Sequence, residues 1–190
     1  MEHFIEIVRD EDPVDPRKEY DNVSTLLCFH KLYSLGDDNP FDSSRYNSWE
    51  EFSRAIKALY NPVVMYPVYM YDHSGLALSL TPFSCPWDSG QVGFVFVSRT
   101  ALEQESPVPI RNRGPLPKRA KDWADATLKS EFQDYAAYVA GESCGFEITD
   151  EEGEIVDSCY GFYSEREAME NATETLQTLR SEDTNIEVAV

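Results

Sequence analysis

The stretch VVMYPVYMYDHSGLALSLTPFSCPWDSGQVGFVFVS, residues 63–98, decides the fold class. β-Branched and aromatic residues fill its first part, where Pro67 predicts either a sheet edge or a bulge. The residues Asp-His-Ser-Gly at 72–75 predict a turn, residues 76–80 predict a second strand, and residues 91–98 predict a third. Short strands that follow one another through turn residues predict a mainly antiparallel sheet built from hairpins.

Helical patterns lie on both sides of this β-rich centre. Three segments carry apolar residues at helical spacing: 48–60, 118–140, and 164 onward. Residues 4–8 alternate like a strand, and residues 144–163 predict a second hairpin with an acidic tip. The prediction is therefore an α+β fold in which about three helices pack on the sheet.

A length of 190 residues suits one domain, and the composition is that of a globular protein. We expect a single globular domain, 1–190, with three segments of distinct character. Residues 1–22 are an acidic N-terminal segment, residues 99–117 read as a proline-rich loop, and residues 181–190 read as a tail.

The charge is the unusual property of the chain. Thirty-five acidic residues and sixteen basic residues give a formal charge of -19. Such a charge repels nucleic acid and anionic membranes and attracts basic surfaces, so the expected partner is a basic protein, including one that binds nucleic acid. The plainer interpretation is that the acidity only keeps the protein soluble.

Part of this charge is predicted to lie along one helix. Glu167, Glu170 and Glu174 recur at three- and four-residue spacing and would form a ridge, while Ala168, Ala172, Leu176 and Leu179 face the core. A ridge of carboxylates resembles the regular charges of DNA, and the alternative is an ordinary solvated helix face. A local basic segment at 111–121 would bind either the acidic surface of its own chain or that of a second copy, and the second alternative corresponds to a homo-oligomer.

The chain shows no signal-peptide pattern and no apolar run long enough to cross a membrane, so we expect a cytoplasmic protein with reduced cysteines. There is no Cys-x-x-Cys pair, no glycine-rich phosphate loop and no zinc-protease motif. The sequence therefore predicts neither a metal site nor a cofactor.

The segment PFSCPWDSGQVGF, residues 82–94, has a catalytic interpretation. Cys85 would be the nucleophile and His73 its base, oriented by Asp72 or Asp88. The predicted strand 76–80 separates the two by about 16 to 20 Å, at about 3.3 Å per residue, which predicts that they do not meet. His30 is then the remaining candidate base.

The same segment has two other interpretations. As a rigid connection that closes a β-hairpin, it would hold its turn with prolines and with Gly90, and Trp87 would anchor it on the core. As a binding loop, it would present four residues to a partner or small ligand: Trp87, Asp88, Ser89 and Gln91. A ligand-sequestering protein would use Trp87 with a pocket around Tyr69 and Tyr71.

Five motifs resemble a group of proteins carried by bacteriophages and other mobile elements. They are DPRKEYDN (15–22), LLCFHKLYSLGD (26–37), PVYMYDHSGLALS (67–79), PFSCPWDSGQVGFVFVS (82–98) and DSCYGFY (157–163). The resemblance implies a phage-type accessory protein that works inside a bacterial cell, and it implies no catalytic residue.

Charge and resemblance together predict an acidic protein that binds and inhibits or redirects a host protein, as an anti-defence factor or a DNA mimic would. The alternatives are a small cysteine-dependent hydrolase or transferase and a protein that sequesters a small ligand.

Overall fold

The computed structural model describes residues 2–110 and 115–188, with side chains up to residue 181. The chain divides into two compact units, each described here by itself. Unit 1 comprises Met1–Val14 and Gly141–Val190, and unit 2 comprises Asp15–Ala140. The expectation of a single globular domain stays a prediction. Arg111 and Arg113 of the predicted basic segment lie outside the described residues.

The elements follow the chain in this order: β1 Phe4–Arg9, α1 Pro16–Glu19, β2 Thr25–Cys28, α2 Trp49–Tyr60, β3 Pro62–Asp72, β4 Leu76–Ser79, β5 Ser89–Ser98, α3 Arg99–Glu105, α4 Lys118–Ala140, β6 Cys144–Thr149, β7 Ile155–Phe162 and α5 Glu165–Val188. A single 3₁₀ turn, Ser43–Arg45, precedes α2.

The α+β class and the antiparallel pairing are confirmed, with two differences of detail. The strands form two sheets, β1-β6-β7 and β2-β5-β3-β4, where one was expected. The described residues form five α-helices instead of about three, because the short α1 and α3 carry too few turns to show a periodic pattern. Helix α3 occupies the start of the predicted loop 99–117, and α5 continues to Val188 through the predicted tail.

In unit 1, β6 is the central strand and α5 covers one face of the sheet. Phe146 and Ile148 point toward this helix and pack with Ala172 and Leu176. Ala168 is also buried, which confirms the predicted inner face of α5. The alternation of side chains along β6 leaves the opposite face of the sheet for its other residues.

In unit 2, helices cover both faces of the sheet. Phe94 and Phe96 of β5 pack with Phe52 and Ile56 of α2. The intervening Val95 and Val97 belong to the other core, with the inner side of α4: Ala120, Ala124, Leu128, Phe132 and Tyr135. Burial on both faces explains why β5 is an almost unbroken apolar run.

The segment between β4 and β5 does not close a hairpin, contrary to expectation. Strand β3 lies between them and pairs with both. Because β4 pairs only with Tyr69–Asp72, Pro67 lies where β3 has a strand neighbour on one side only. A missing backbone N–H is tolerated there, as the edge prediction required.

Candidate functional site

One candidate site lies in unit 2, where β3 ends and β5 begins. The pairing of Tyr71 with Ser89 places the residues just beyond them side by side. The backbone N–H of Asp72 donates to the carbonyl of Asp88 at 2.8 Å. This register fixes Asp88 beside the turn that carries His73.

The carboxylate of Asp88 gathers the predicted catalytic residues. Cys85 Sγ donates to Asp88 Oδ2 at 3.5 Å, and His73 Nδ1 lies 3.5 Å from the same oxygen. The predicted separation of 16 to 20 Å was therefore wrong. It assumed that the chain continues outward after β4, whereas the chain returns so that β5 can pair with β3. We call Cys85, His73 and Asp88 the Asp88 cluster.

The order of groups in the Asp88 cluster differs from that of a cysteine nucleophile. Such a nucleophile needs a base such as imidazole within about 3 Å of the sulfur, with a carboxylate behind the base. Here the carboxylate lies between the sulfur and the imidazole, and the side chain of His73 is 64% exposed to solvent. The described residues contain no group of three or more histidine, cysteine or acidic side chains placed to hold a metal ion.

Two further polar residues lie near Asp72, which precedes His73 in the chain, and the sequence carried no signal for the first. Tyr33 Oη donates to Asp72 Oδ2 at 3.0 Å, and this hydrogen bond raises the pKa of Tyr33. His30 stacks on Tyr33 with ring centroids 5.0 Å apart. The Nδ1 of His30 accepts from the backbone N–H groups of Leu32 and Tyr33 at 3.3 Å each, which places the proton of a neutral ring on Nε2.

Trp87 does not anchor the loop on the core, since 92% of the residue is exposed. Ser89 and Gln91 are used within the fold instead. Ser89 Oγ donates to the carbonyl of Cys85 at 2.5 Å, and Gln91 Nε2 donates to the carbonyl of Gly93 at 3.2 Å. Of the four predicted binding residues, Trp87 is therefore the one that the loop presents to solvent.

A large cavity of unit 2 is lined by His30 and Tyr33, and neither Tyr69 nor Tyr71 is among its lining residues. Its volume is about 1130 Å³, and Cys28, His30, Tyr33 and Asp37 are among its lining residues. Burial, with a smaller effect of Asp37, raises the pKa of Cys28 to about 12, so this thiol is protonated at neutral pH. A second cavity of about 300 Å³ has aromatic walls formed by Phe29, Tyr46, Trp49 and Phe52.

The motifs DPRKEYDN and LLCFHKLYSLGD meet in a buried network of unit 2. Asp15 caps helix α1, which holds Arg17 in the core. The guanidinium of Arg17 finds an acceptor for each of its N–H directions among four groups: Asp37, Asn22, Ser24 Oγ and the Ser24 carbonyl. A buried charged group whose hydrogen bonds are all satisfied within the fold has a structural role.

The charge of the chain is concentrated in unit 1. Its two segments, 1–14 and 141–190, hold nineteen acidic residues and three basic ones, which gives -16 of the total -19. Glu167, Glu170 and Glu174 are exposed on α5, as a ridge requires. Arg166 pairs with Glu170 at 2.7 Å and so neutralises part of the ridge.

No known family model, curated protein or solved structure matches the chain. In the part of the chain that the structure describes, no helix combines the length and the apolar character needed to cross a membrane.

Proposed function

We propose that this chain is an acidic binding protein that binds a basic host protein and inhibits or redirects it. The observation that supports the proposal is the concentration of charge. Unit 2 carries sixteen acidic and thirteen basic residues, close to balance, whereas unit 1 carries -16. An acidity needed only for solubility has no reason to be confined to one unit.

A surface of this charge acts mainly on encounter and selectivity. Opposite charge on the partner raises the association rate, and repulsion excludes nucleic acid and other anions. A protein whose own ligand is nucleic acid presents the basic surface that such a unit fits. We therefore propose a nucleic-acid-binding protein of the host, including a defence component, as the partner.

The first test is capture of partners from bacterial lysate at low salt and again at about 0.5 M, where exposed charges are largely screened. We expect basic proteins, identified by mass spectrometry, to be captured at low salt and lost at high salt. Equal capture at both salt concentrations, or captured proteins that are not basic, would contradict the proposal.

A charge-reversal variant tests whether partner binding depends on the charge of unit 1. The variant carries Glu167→Lys, Glu170→Lys and Glu174→Lys, all at exposed positions. Its matched control changes three exposed acids of unit 2 to lysine: Glu19, Asp21 and Asp38. We expect the first variant to lose the partner and the control to keep it, although both change the net charge equally. Equal loss in both would show that total charge, and not unit 1, is responsible.

A further inference from the structure

The sheet of unit 1 has one face that α5 does not cover. The register of β1, β6 and β7 arranges the side chains of this face in three rows. One outer row contains Phe4 and Ile155, and the other contains Val8 and Tyr160. The middle row contains Glu6 and Glu147. We call these six residues the open face.

The apolar residues of the open face are unusually exposed. Phe4 is 52% exposed, Ile155 is 57% exposed and Tyr160 is 46% exposed. They flank the central strand β6: Thr149 lies between Phe4 and Ile155, and Gly145 lies between Val8 and Tyr160. Groups of exposed apolar side chains on one face mark interaction sites. Tyr160 packs over Gly145, where a Cβ would lie 2.4 Å from its ring, so the phenol is held in place.

The middle row of the open face carries an electrostatic cost. Glu6 and Glu147 lie directly opposite each other on β1 and β6. Like charges at directly opposed cross-strand positions destabilise a sheet. Neither carboxylate has a lysine, arginine or histidine as ion-pair partner among the described side chains. Glu147 Oε1 accepts a hydrogen bond from Tyr160 Oη at 2.5 Å, which stabilises the carboxylate without neutralising it.

We infer that the open face is the surface through which unit 1 binds its partner. It fits a protein surface that presents an arginine or lysine flanked by apolar side chains. The cation lies between Glu6 and Glu147 and removes their repulsion, while the partner's apolar groups cover Phe4, Ile155 and Tyr160. Desolvation by these apolar contacts strengthens the charge pairing. This inference rests on the proposed function and assigns the direct contact to the sheet, while the ridge on α5 attracts the basic partner at longer range.

The test uses the full chain and an oligo-arginine peptide of about ten residues as the cationic probe. Amide chemical shifts recorded during a titration at low salt locate the contact. We expect the shifts to concentrate in β1, β6 and β7. Shifts confined to α5 or to unit 2 would overturn the inference and leave the proposed function standing, whereas no binding at low salt would overturn both.

Matched double variants test the assignment a second time. Glu6→Gln with Glu147→Gln removes the two charges of the open face, and Glu170→Gln with Glu174→Gln removes two charges of the ridge. We expect the first pair to weaken peptide binding at least about tenfold and the second pair to weaken it much less. Equal weakening would overturn the inference.

A third measurement needs no partner. Because Glu6→Gln relieves the cross-strand repulsion, it is expected to raise the melting temperature of the free protein at low salt. Glu170→Gln removes an ion pair with Arg166 and is not expected to raise it. A melting temperature that Glu6→Gln leaves unchanged or lowers would contradict the electrostatic cost on which the inference depends.

Discussion

Arg17 and Asp37 form a two-pronged ion pair in unit 2. Arg17 Nε donates to Asp37 Oδ1 at 2.9 Å, and Arg17 Nη2 donates to Asp37 Oδ2 at 2.6 Å. The guanidinium side chain is 2% exposed. Asp37 Oδ2 also accepts from the backbone N–H of Leu26 at 2.8 Å, so the pair ties α1 and the loop after β2 to the sheet. The motifs DPRKEYDN and LLCFHKLYSLGD therefore depend on the same ion pair.

Arg17→Lys is expected to destabilise unit 2 by about 3 kcal/mol, because an ammonium cannot reproduce the planar fork and leaves buried acceptors unpaired. The measurement is the free energy of unfolding from urea denaturation. Arg45→Lys is the control, since the Arg45 side chain is 78% exposed and its change is expected to stay within about 0.5 kcal/mol. A loss in Arg17→Lys no larger than in the control would show that the network contributes little.

Gly93 lies at a bulge of β5, where Val92 is the extra residue between two pairs of the ladder with β3. A Cβ on Gly93 would lie 2.1 Å from the carbonyl oxygen of Leu27, which belongs to the backbone of β2. Gly93→Ala is therefore expected to cost about 3 kcal/mol or to prevent folding, because backbone cannot move aside as a side chain can.

Gly90→Ala is the matched control for this prediction, since no atom lies within 4 Å of a Cβ built there. Circular dichroism during thermal unfolding compares the two variants. Equal melting temperatures would contradict the close approach of β2 and β5 at Gly93.

Because the thiol of Cys28 is buried, we expect the protein to lose stability at alkaline pH. Burial raises the pKa of its thiol from 9.0 to about 12 in the folded protein. A folded-state pKa above the unfolded value means that the stabilising contribution is complete below pH 9 and is lost as the pH rises from 9 toward 12. The expected slope is about 1.4 kcal/mol per pH unit for one thiol.

The measurement is urea denaturation at several values between pH 8 and pH 10; Tyr135, whose pKa burial raises from 10.0 to about 12, adds to the decline only toward the upper end of this range. Cys28→Ser is expected to flatten the decline, whatever it costs in stability at neutral pH. Cys159→Ser, at an exposed position, is expected to leave the decline unchanged. The same slope in all three proteins would refute the assignment to Cys28.

Thiol labelling under native conditions separates the binding protein from the cysteine-dependent enzyme. Accessibility alone predicts that the exposed Cys159 reacts first, the half-buried Cys85 more slowly, and the buried Cys28 and Cys144 last. Mass spectrometry of peptides from a timed reaction gives the order. If Cys85 reacted ahead of Cys159, the Asp88 cluster would activate it, and the enzymatic alternative would gain over the proposed binding function.

Local sequence predicted most strands and the long helices because their apolar residues recur with the period of the element. Residues 4–8 illustrate this, since their alternation already separates Ile5 and Ile7 from Glu6. The sequence pattern did not predict the short helices α1 and α3, because each spans less than two full turns. The sequence also predicted Cys85, His73 and Asp88 as candidate site residues, and it predicted the acidity of α5.

The sequence by itself determined the α+β class, the periodic faces of the elements and the excess of acidic residues, since these depend on composition and on neighbours along the chain. Only the tertiary structure decided that β3 separates β4 from β5 and brings Cys85 and His73 to one carboxylate, and that Glu6 lies opposite Glu147. Strand order and register join residues far apart in sequence, and they are set by which apolar faces can be buried together.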